Sequence, residues 1–236
     1  MRIRLIADGS SKWQRMIRRW GIAFLVDDDI LFDTFGDARV FRANVRRQRI
    51  DLAKVRHVVI SHDDWDHIAG LWDVLGQYKG LKVYVVPHFD PALKKRIRSF
   101  GVTLVEAPAP LMVREGVFTT GELSGGTARG ILYEQSLVLR DHGRLAVVTG
   151  CAHPKLVDIL TAARGHFGQD VDMLMGGFHL KDMEPGEIKT TVRTLPRYGV
   201  RHVVPLHCTG ALGVQEFERF FIGNCHHLRE GDVLEV

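Results

Sequence analysis

The residues best suited to chemistry are concentrated in one short run, Ser61-His62-Asp63-Asp64-Trp65-Asp66-His67. Imidazole and carboxylate are the donors that zinc, iron and manganese accept from proteins. The run lies between the apolar stretch Val58-Val59-Ile60 and a helical pattern. In a tight strand-to-helix turn, His62 and Asp64 can point one way while Asp66 and His67 point toward a neighbouring pocket, so six residues could supply two adjacent cations. The competing expectation is an N-cap cluster in which Asp63 or Asp64 satisfies the first helical amides. The spacing favours metal, because further polar groups stand at other expected strand exits: Asp33, Cys151 with His153, His179 and His207. Burying each of these without a partner would cost on the order of several kcal/mol. In layered α/β proteins that edge is where sites assemble.

Positioning such groups requires strands and helices in alternation. Short β-branched runs bounded by turn residues predict strands over 3–7, 23–26, 30–32, 55–60, 83–86 and 102–105, with helices over 38–49, 65–77 and 91–99. Asp90 and Pro91 form an N-cap and first-turn pair for the last of these. The second half predicts strands over 113–119, 132–139, 145–148, 171–175, 202–205 and 233–236, and helices over 154–164, 187–197 and 214–221. Two strand-rich halves, each closed by helices, are what a four-layer αββα sandwich looks like in one dimension, although periodicity alone also admits a doubly wound sheet. The glycines between Gly121 and Gly130 predict a loop or hairpin. No Lys-Ser/Thr follows them, which excludes a nucleotide-binding loop.

With 236 residues and 45% apolar composition, the chain can bury a full core, and one catalytic domain over 1–236 is expected. No apolar run approaches the roughly 18–20 residues that span a bilayer, and the N-terminus lacks a secretory pattern, so a cytoplasmic protein with no membrane partner is expected. The three cysteines are odd in number and widely spaced, which argues against a disulfide framework or a zinc knuckle. Net charge is only +4, but Arg39, Arg42, Arg46, Arg47 and Arg49 form a basic run that would attract anions, unless it is simply a solvated helix face. Trp13, Trp20 and Trp72 could line an entrance, although bulky aromatics at irregular spacing read more simply as core or rim packing, and His88, His142, His166, His202, His226 and His227 read as surface or satisfied histidines.

The His-x-Asp-x-Asp-His run resembles the His-x-His-x-Asp-His signature of the metallo-β-lactamase superfamily, with Asp64 standing in for the second histidine. Leu31-Phe32-Asp33-Thr34 resembles the family's earlier aspartate, which supports the metal-binding loop. Glu134-Gln135-Ser136-Leu137, Thr149-Gly150-Cys151-Ala152-His153-Pro154, Gly176-Gly177-Phe178-His179-Leu180 and His207-Cys208-Thr209-Gly210 resemble the subfamily that includes dihydropterin ribofuranosyl-aminobenzene phosphate synthases. The resemblance implies one metal held by His62, Asp64 and His153, and a second held by Asp66, His67 and His207. Cys151 falls where relatives place a bridging aspartate and is either a bridging thiolate or a small buried residue. His153 is taken as a ligand, with capping of the following helix as its alternative.

The implied activity is that of a metal-dependent hydrolase. A metal-bound hydroxide would attack a small phosphorylated or ester substrate, a pterin-pathway phosphate or pyrophosphate compound being one form. Asp66 would orient the hydroxide as well as bind metal, and His179 would act as general acid or hydrogen-bond donor. Zinc is the first expectation for the two divalent ions; Asp64 hardens the site toward manganese or iron, or leaves one metal with Asp64 as a proton-transfer group. The partner is expected to be an anionic small molecule, with Lys181, Arg39 or Arg42 as phosphate-neutralising candidates, although surface location is the simpler reading for each. An RNA or DNA phosphodiesterase is the disfavoured alternative and a degenerate metal-binding protein the non-enzymatic one. Homo-oligomerisation stays open.

Overall fold

The computed structural model describes residues 1–127 and 130–236, and the chain divides into two compact units, Met1–Pro108 with Arg229–Glu235, and Ala109–Leu228 with Val236. In the first unit the apolar runs form β1 (Arg2–Gly9), β2 (Gly21–Val26), β3 (Ile30–Phe32), β4 (His57–Val59), β5 (Lys82–Val85) and β6 (Thr103–Glu106). These lie in chain order in one sheet, with the C-terminal strand Val233–Glu235 added beside β1. The pairs from that strand through β3 are antiparallel, and those from β3 through β6 are parallel. Every residue of β2 and β3 is buried, as continuous apolar strands require.

Helices α1 (Lys12–Met16), α2 (Ala38–Arg47), α3 (Trp65–Ile68), α4 (Leu71–Gln77) and α5 (Pro91–Arg98) complete this unit. Asp37 caps α2 by accepting from the Arg39 and Val40 amides, and buried Asn44 donates to the Ile6 carbonyl at 3.0 Å, tying α2 to β1. Asp90 and Pro91 open α5 as expected. The helix expected over 65–77 is instead two helices. The Ala69 and Gly70 amides donate to the Phe35 and Thr34 carbonyls rather than continuing the helical ladder, and a Cβ at Gly70 would stand 2.6 Å from Thr34 O. The carbonyls that impose this break lie more than 30 residues away in sequence.

The second unit holds β7 (Leu111–Arg114), β8 (Val117–Thr119), β9 (Leu123–Thr127), β10 (Gly130–Glu134), β11 (Leu137–Asp141), β12 (Arg144–Thr149), β13 (Met173–Gly177) and β14 (His202–Leu206). Six of them form a sheet in the order β14-β13-β12-β11-β8-β7, parallel from β12 to β14, while β9 and β10 make a separate ribbon. Two expected strands are corrected. Residues 113–119 turn at Gly116, which has φ of 75°, into the hairpin β7–β8. Residues 132–139 bend at Gln135 and Ser136, where the Ser136 amide donates to Thr120 Oγ1 and its carbonyl accepts from the Thr120 amide. The hairpin expected within 121–130 is the β9–β10 ribbon, apart from residues 128 and 129, which lie outside the described residues.

Helices α6 (Leu156–Phe167), α7 (Pro185–Thr194) and α8 (Gly210–Phe220) pack on this sheet. Leu145, Val147, Leu174 and Val203 meet Ile159, Leu160, Ile188, Val192 and Phe217 in one buried cluster. Each large side chain of this kind stabilises the fold by about 1.5–3 kcal/mol through burial. Both sheets thus end their parallel strands against an edge where polar residues follow. Among the described residues no helix is long and apolar enough to cross a membrane.

Candidate metal centre

In the first unit the donors gather where β3 and β4 end. Asp33, at φ of 55°, is fully buried, and its carboxylate accepts from the Ser61 amide at 2.7 Å and the Ser61 hydroxyl at 2.7 Å. The same carboxylate lies 2.6 Å from His67 Nδ1, while Ser61 Oγ lies 2.8 Å from His62 Nδ1. Both histidines are therefore held by their Nδ1 atoms, and their rings sit 4.0 Å apart. Their Nε2 atoms face carboxylates of the same loop, His62 to Asp64 at 3.9 Å and His67 to Asp66 at 3.4 Å, the latter within reach of a long hydrogen bond. An imidazole whose Nδ1 is fixed by a carboxylate or hydroxyl, with Nε2 presented alongside other donors, is the usual second layer of a metal site.

The capping alternative fails at both aspartates. Asp64 occupies the N-cap position of α3 and makes no capping hydrogen bond, and Asp63 accepts from the Asp90 amide at 2.9 Å. Burial lowers the His67 pKa, but Asp33 and Asp66 outweigh it and hold the imidazole well above its ordinary value. The cluster thus favours positive charge on and around His67, whether a proton or a cation supplies it.

In the second unit the organising carboxylate is Glu134, at the end of β10. It is 1% exposed and accepts from the amides of Cys151, Ala152 and His153 at 2.8–3.0 Å, and it lies 2.9 Å from His153 Nδ1. His153 therefore does not cap the next helix, whose N-cap position is Lys155. Its ring lies 4.4 Å from that of His179. Cys151 Sγ, a ring nitrogen of His179 and Cys208 Sγ all fall within 4.8 Å of one another, and the His179 amide donates to Cys208 Sγ at 3.3 Å. Burial pushes the Cys208 thiol up, but Cys151, His207 and His179 together bring it well below the ordinary thiol range. His207 is fully buried at the end of β14.

Ala152, His179 and His207 join Asp33 in having positive φ, at 62°, 51° and 47°. Each such residue costs about 1–3 kcal/mol and persists only where its surroundings over-determine it. Gly177 gives the room: a Cβ there would lie 2.8 Å from Cys208 Sγ and 3.1 Å from His207 Cδ2.

The structure thus brings His62, Asp64, Asp66 and His67 together in the first unit, and Cys151, His153, His179 and His207 in the second. Imidazole, carboxylate and thiolate are donor types that a divalent cation accepts, the two Nδ1 atoms nearest a buried carboxylate are already engaged, and in the second unit Cys151, His179 and Cys208 bring three donor atoms within 4.8 Å of one another. Sequence reasoning missed Glu134 and Cys208 as participants. The signal for Glu134 was the polar triplet Glu134-Gln135-Ser136 inside an otherwise apolar run, which a continuous strand over 132–139 concealed. Of the phosphate-neutralising candidates, Arg42 is paired with Asp73 at 2.7 Å and Lys181 with Asp182.

Residues 28–208 match the family model described as a beta-lactamase superfamily domain. The 7,8-dihydropterin-6-methyl-4-(beta-D-ribofuranosyl)-aminobenzene-5'-phosphate synthase of Methanocaldococcus jannaschii is 24% identical over 264 aligned residues, 91% of this chain and 89% of that protein. Among solved structures, Tm1679, a metal-dependent hydrolase of the beta-lactamase superfamily, is 28% identical with a TM-score of 0.80, covering 100% of this chain and 99% of that one. YhfI from Bacillus subtilis, a metallo-beta-lactamase fold protein, shares the fold at 16% identity, a TM-score of 0.70 and 99% coverage of both chains. The metallo-β-lactamase-like α/β fold expected from the sequence is therefore the fold of this protein, and with 28–208 inside the family model the chain belongs to the beta-lactamase superfamily.

Proposed function

We propose that this protein is a metal-dependent hydrolase acting on a small phosphorylated organic substrate. The observation that carries the reading is the paired orientation of His62 and His67, each gripped at Nδ1 by the Asp33–Ser61 network and each turning Nε2 toward an aspartate of the same loop. His153 on Glu134 repeats the device. Support for taking residues 1–236 as one catalytic domain comes from the family match, which runs from the first unit into the second.

In this reading His62, Asp64 and His153 would hold one divalent ion, and Asp66, His67 and His207 the other, with Cys151 either a further thiolate ligand or a small buried residue. Zinc is the first choice and manganese or iron the alternative that Asp64 favours. When bound, the ions supply Lewis-acid activation of water and of the scissile group. Asp66 orients the attacking water and accepts its proton. His179, whose Nδ1 is buried with no hydrogen-bond partner among the described residues, protonates the departing oxygen. The 28% identity to a metal-dependent hydrolase supports an enzyme of this class, and the relative named as a synthase of a phosphorylated pterin compound supports a phosphorylated pterin-pathway compound as the substrate to try first.

The test is elemental analysis of protein purified without chelator, alongside hydrolysis of a generic phosphodiester, for the natural chain, Asp64→Ala and His67→Ala. About two equivalents of metal, reduced in both variants with turnover lost, is the expected result. One equivalent unchanged by Asp64→Ala would take Asp64 out of the coordination shell, and absence of metal from the natural chain would overturn the reading.

A further inference from the structure

The first unit contains a cavity of about 750 Å³ lined by Arg18, Gly36, Asp37, Arg39, Trp65 and Trp72, among others, and the metal-ligand assignment uses none of these residues. Its size lies within the roughly 300–1,000 Å³ typical of small-molecule sites. Trp65 sits between Asp64 and Asp66 in the sequence, so a ligand resting there is one residue from the candidate donors. We propose that this cavity is the recognition pocket for a planar aromatic ring carrying a phosphate, the ring lying against Trp65 and Trp72 and the phosphate held by Arg18 and Arg39. The assignment of this ligand as substrate rests on the hydrolase reading above; its binding does not.

The arginines carry the first part of the argument. Arg42 and Arg47 of the basic run are paired with Asp73 and Glu230. Arg18 and Arg39 form no ion pair with a carboxylate among the described residues, and both are exposed at the cavity wall. The Arg18 guanidinium lies 5.2 Å from the centroid of the Trp65 ring, and its backbone is held at φ of 57°, a conformation that side-chain-bearing residues rarely adopt. Asp37, the one carboxylate among these six, accepts from the Arg39 and Val40 amides at the start of α2, with Arg19 4.0 Å away, so its charge is already answered. What remains at the wall is a pair of guanidiniums, whose planar forks match phosphate oxygens.

The indoles carry the second part. Both are half-buried, leaving surface for a ligand. Trp72 is braced by the Arg96 guanidinium 3.6 Å from its centroid and by Phe100, stacked at 6.1 Å. Trp65 packs against Gly36, where a Cβ would stand 2.7 Å from the indole, so glycine is what lets the ring lie there. Rigid aromatic faces beside cationic groups bind planar anionic rings at low conformational cost, because the stacking surface is set before the ligand arrives.

All four tryptophans of the chain, Trp13, Trp20, Trp65 and Trp72, belong to the first unit, so intrinsic fluorescence reports on this region. Metal-replete protein would be titrated with AMP, which has ring and phosphate, with ribose 5-phosphate, which lacks the ring, and with adenosine, which lacks the phosphate. AMP is expected to quench the fluorescence and bind about tenfold more tightly than either fragment. Arg39→Ala and Trp72→Leu should each weaken AMP binding by about fivefold or more at unchanged metal content, whereas Arg219→Ala, an exposed charge on α8, should leave it as it is. Equal affinity for AMP and ribose 5-phosphate, or an AMP affinity indifferent to Arg39→Ala, would overturn the pocket. Its failure with metal-dependent turnover intact would leave the hydrolase reading standing, and AMP binding retained in a protein without such turnover would do the reverse.

Discussion

The two donor sets solve one problem, holding an imidazole still, by different means. In the first unit Asp33 is anchored through a side chain and one amide: Ser61 supplies both, and its hydroxyl oxygen, having given its proton to Asp33, accepts from His62 Nδ1. In the second, Glu134 is anchored by three consecutive backbone amides of the loop after β12, so the carboxylate organises the chain itself as well as the His153 ring. A grip on side chains tunes ligands inside a turn that already exists. A grip on backbone amides makes the turn depend on the carboxylate.

That contrast predicts a hierarchy of effects. The largest belongs to Glu134→Ala, which strands four buried donors. At about 1–3 kcal/mol per orphaned donor and less than full additivity, urea unfolding should show a loss of about 3–5 kcal/mol. Asp33→Ala strands three donors, only one of them backbone, and should cost visibly less in the same experiment; equal losses would break the comparison. On metal affinity the effect of Asp33 should be strong regardless, since Asp33→Asn changes the group that fixes His67 Nδ1. A decrease of about 10–100-fold is expected by chelator competition. Gly177→Ala sharpens the comparison from the second unit. Its Cβ would press on Cys208 Sγ, His207 Cδ2 and the Gly150 carbonyl, and thermal denaturation should register about 1–3 kcal/mol of overpacking. Ser61→Ala should be the mildest, about 1 kcal/mol, because one hydroxyl is lost while the Ser61 amide still serves Asp33.

The two sets also differ in how far they could be read in advance. His62, Asp64, Asp66 and His67 are contiguous, so their chemistry stands out from the sequence without knowledge of the fold. Cys151, His153, His179 and His207 are spread over three strand ends and became visible as a group only through strand positions and family resemblance. Glu134 was harder still. It acts from the β9–β10 ribbon onto a loop 17–19 residues later, a contact set by where the ribbon lies and not by any local pattern. Trp72 read as packing for a similar reason, since a tryptophan's place on a cavity wall is a property of its neighbours. Continuous strands over 113–119 and 132–139 were expected from the apolar residues at their ends, Val113, Val117 and Phe118 in one and Leu132, Tyr133 and Leu137 to Leu139 in the other, and both were overruled by turns that long-range hydrogen bonds or a positive-φ glycine fix.

The sequence by itself determined the inventory: the donor types, the strands whose ends carry them, and the cap at Asp90. These are local matters of side-chain chemistry and periodicity. Tertiary structure alone decided which nitrogen of each imidazole is engaged, which arginines of the basic run are paired, and that the helix after His67 breaks at Ala69 and Gly70. The reason is physical: a buried hydrogen-bond donor is answered by whatever acceptor the fold brings near it, and in this chain that acceptor is often a carboxylate or carbonyl more than 15 residues away.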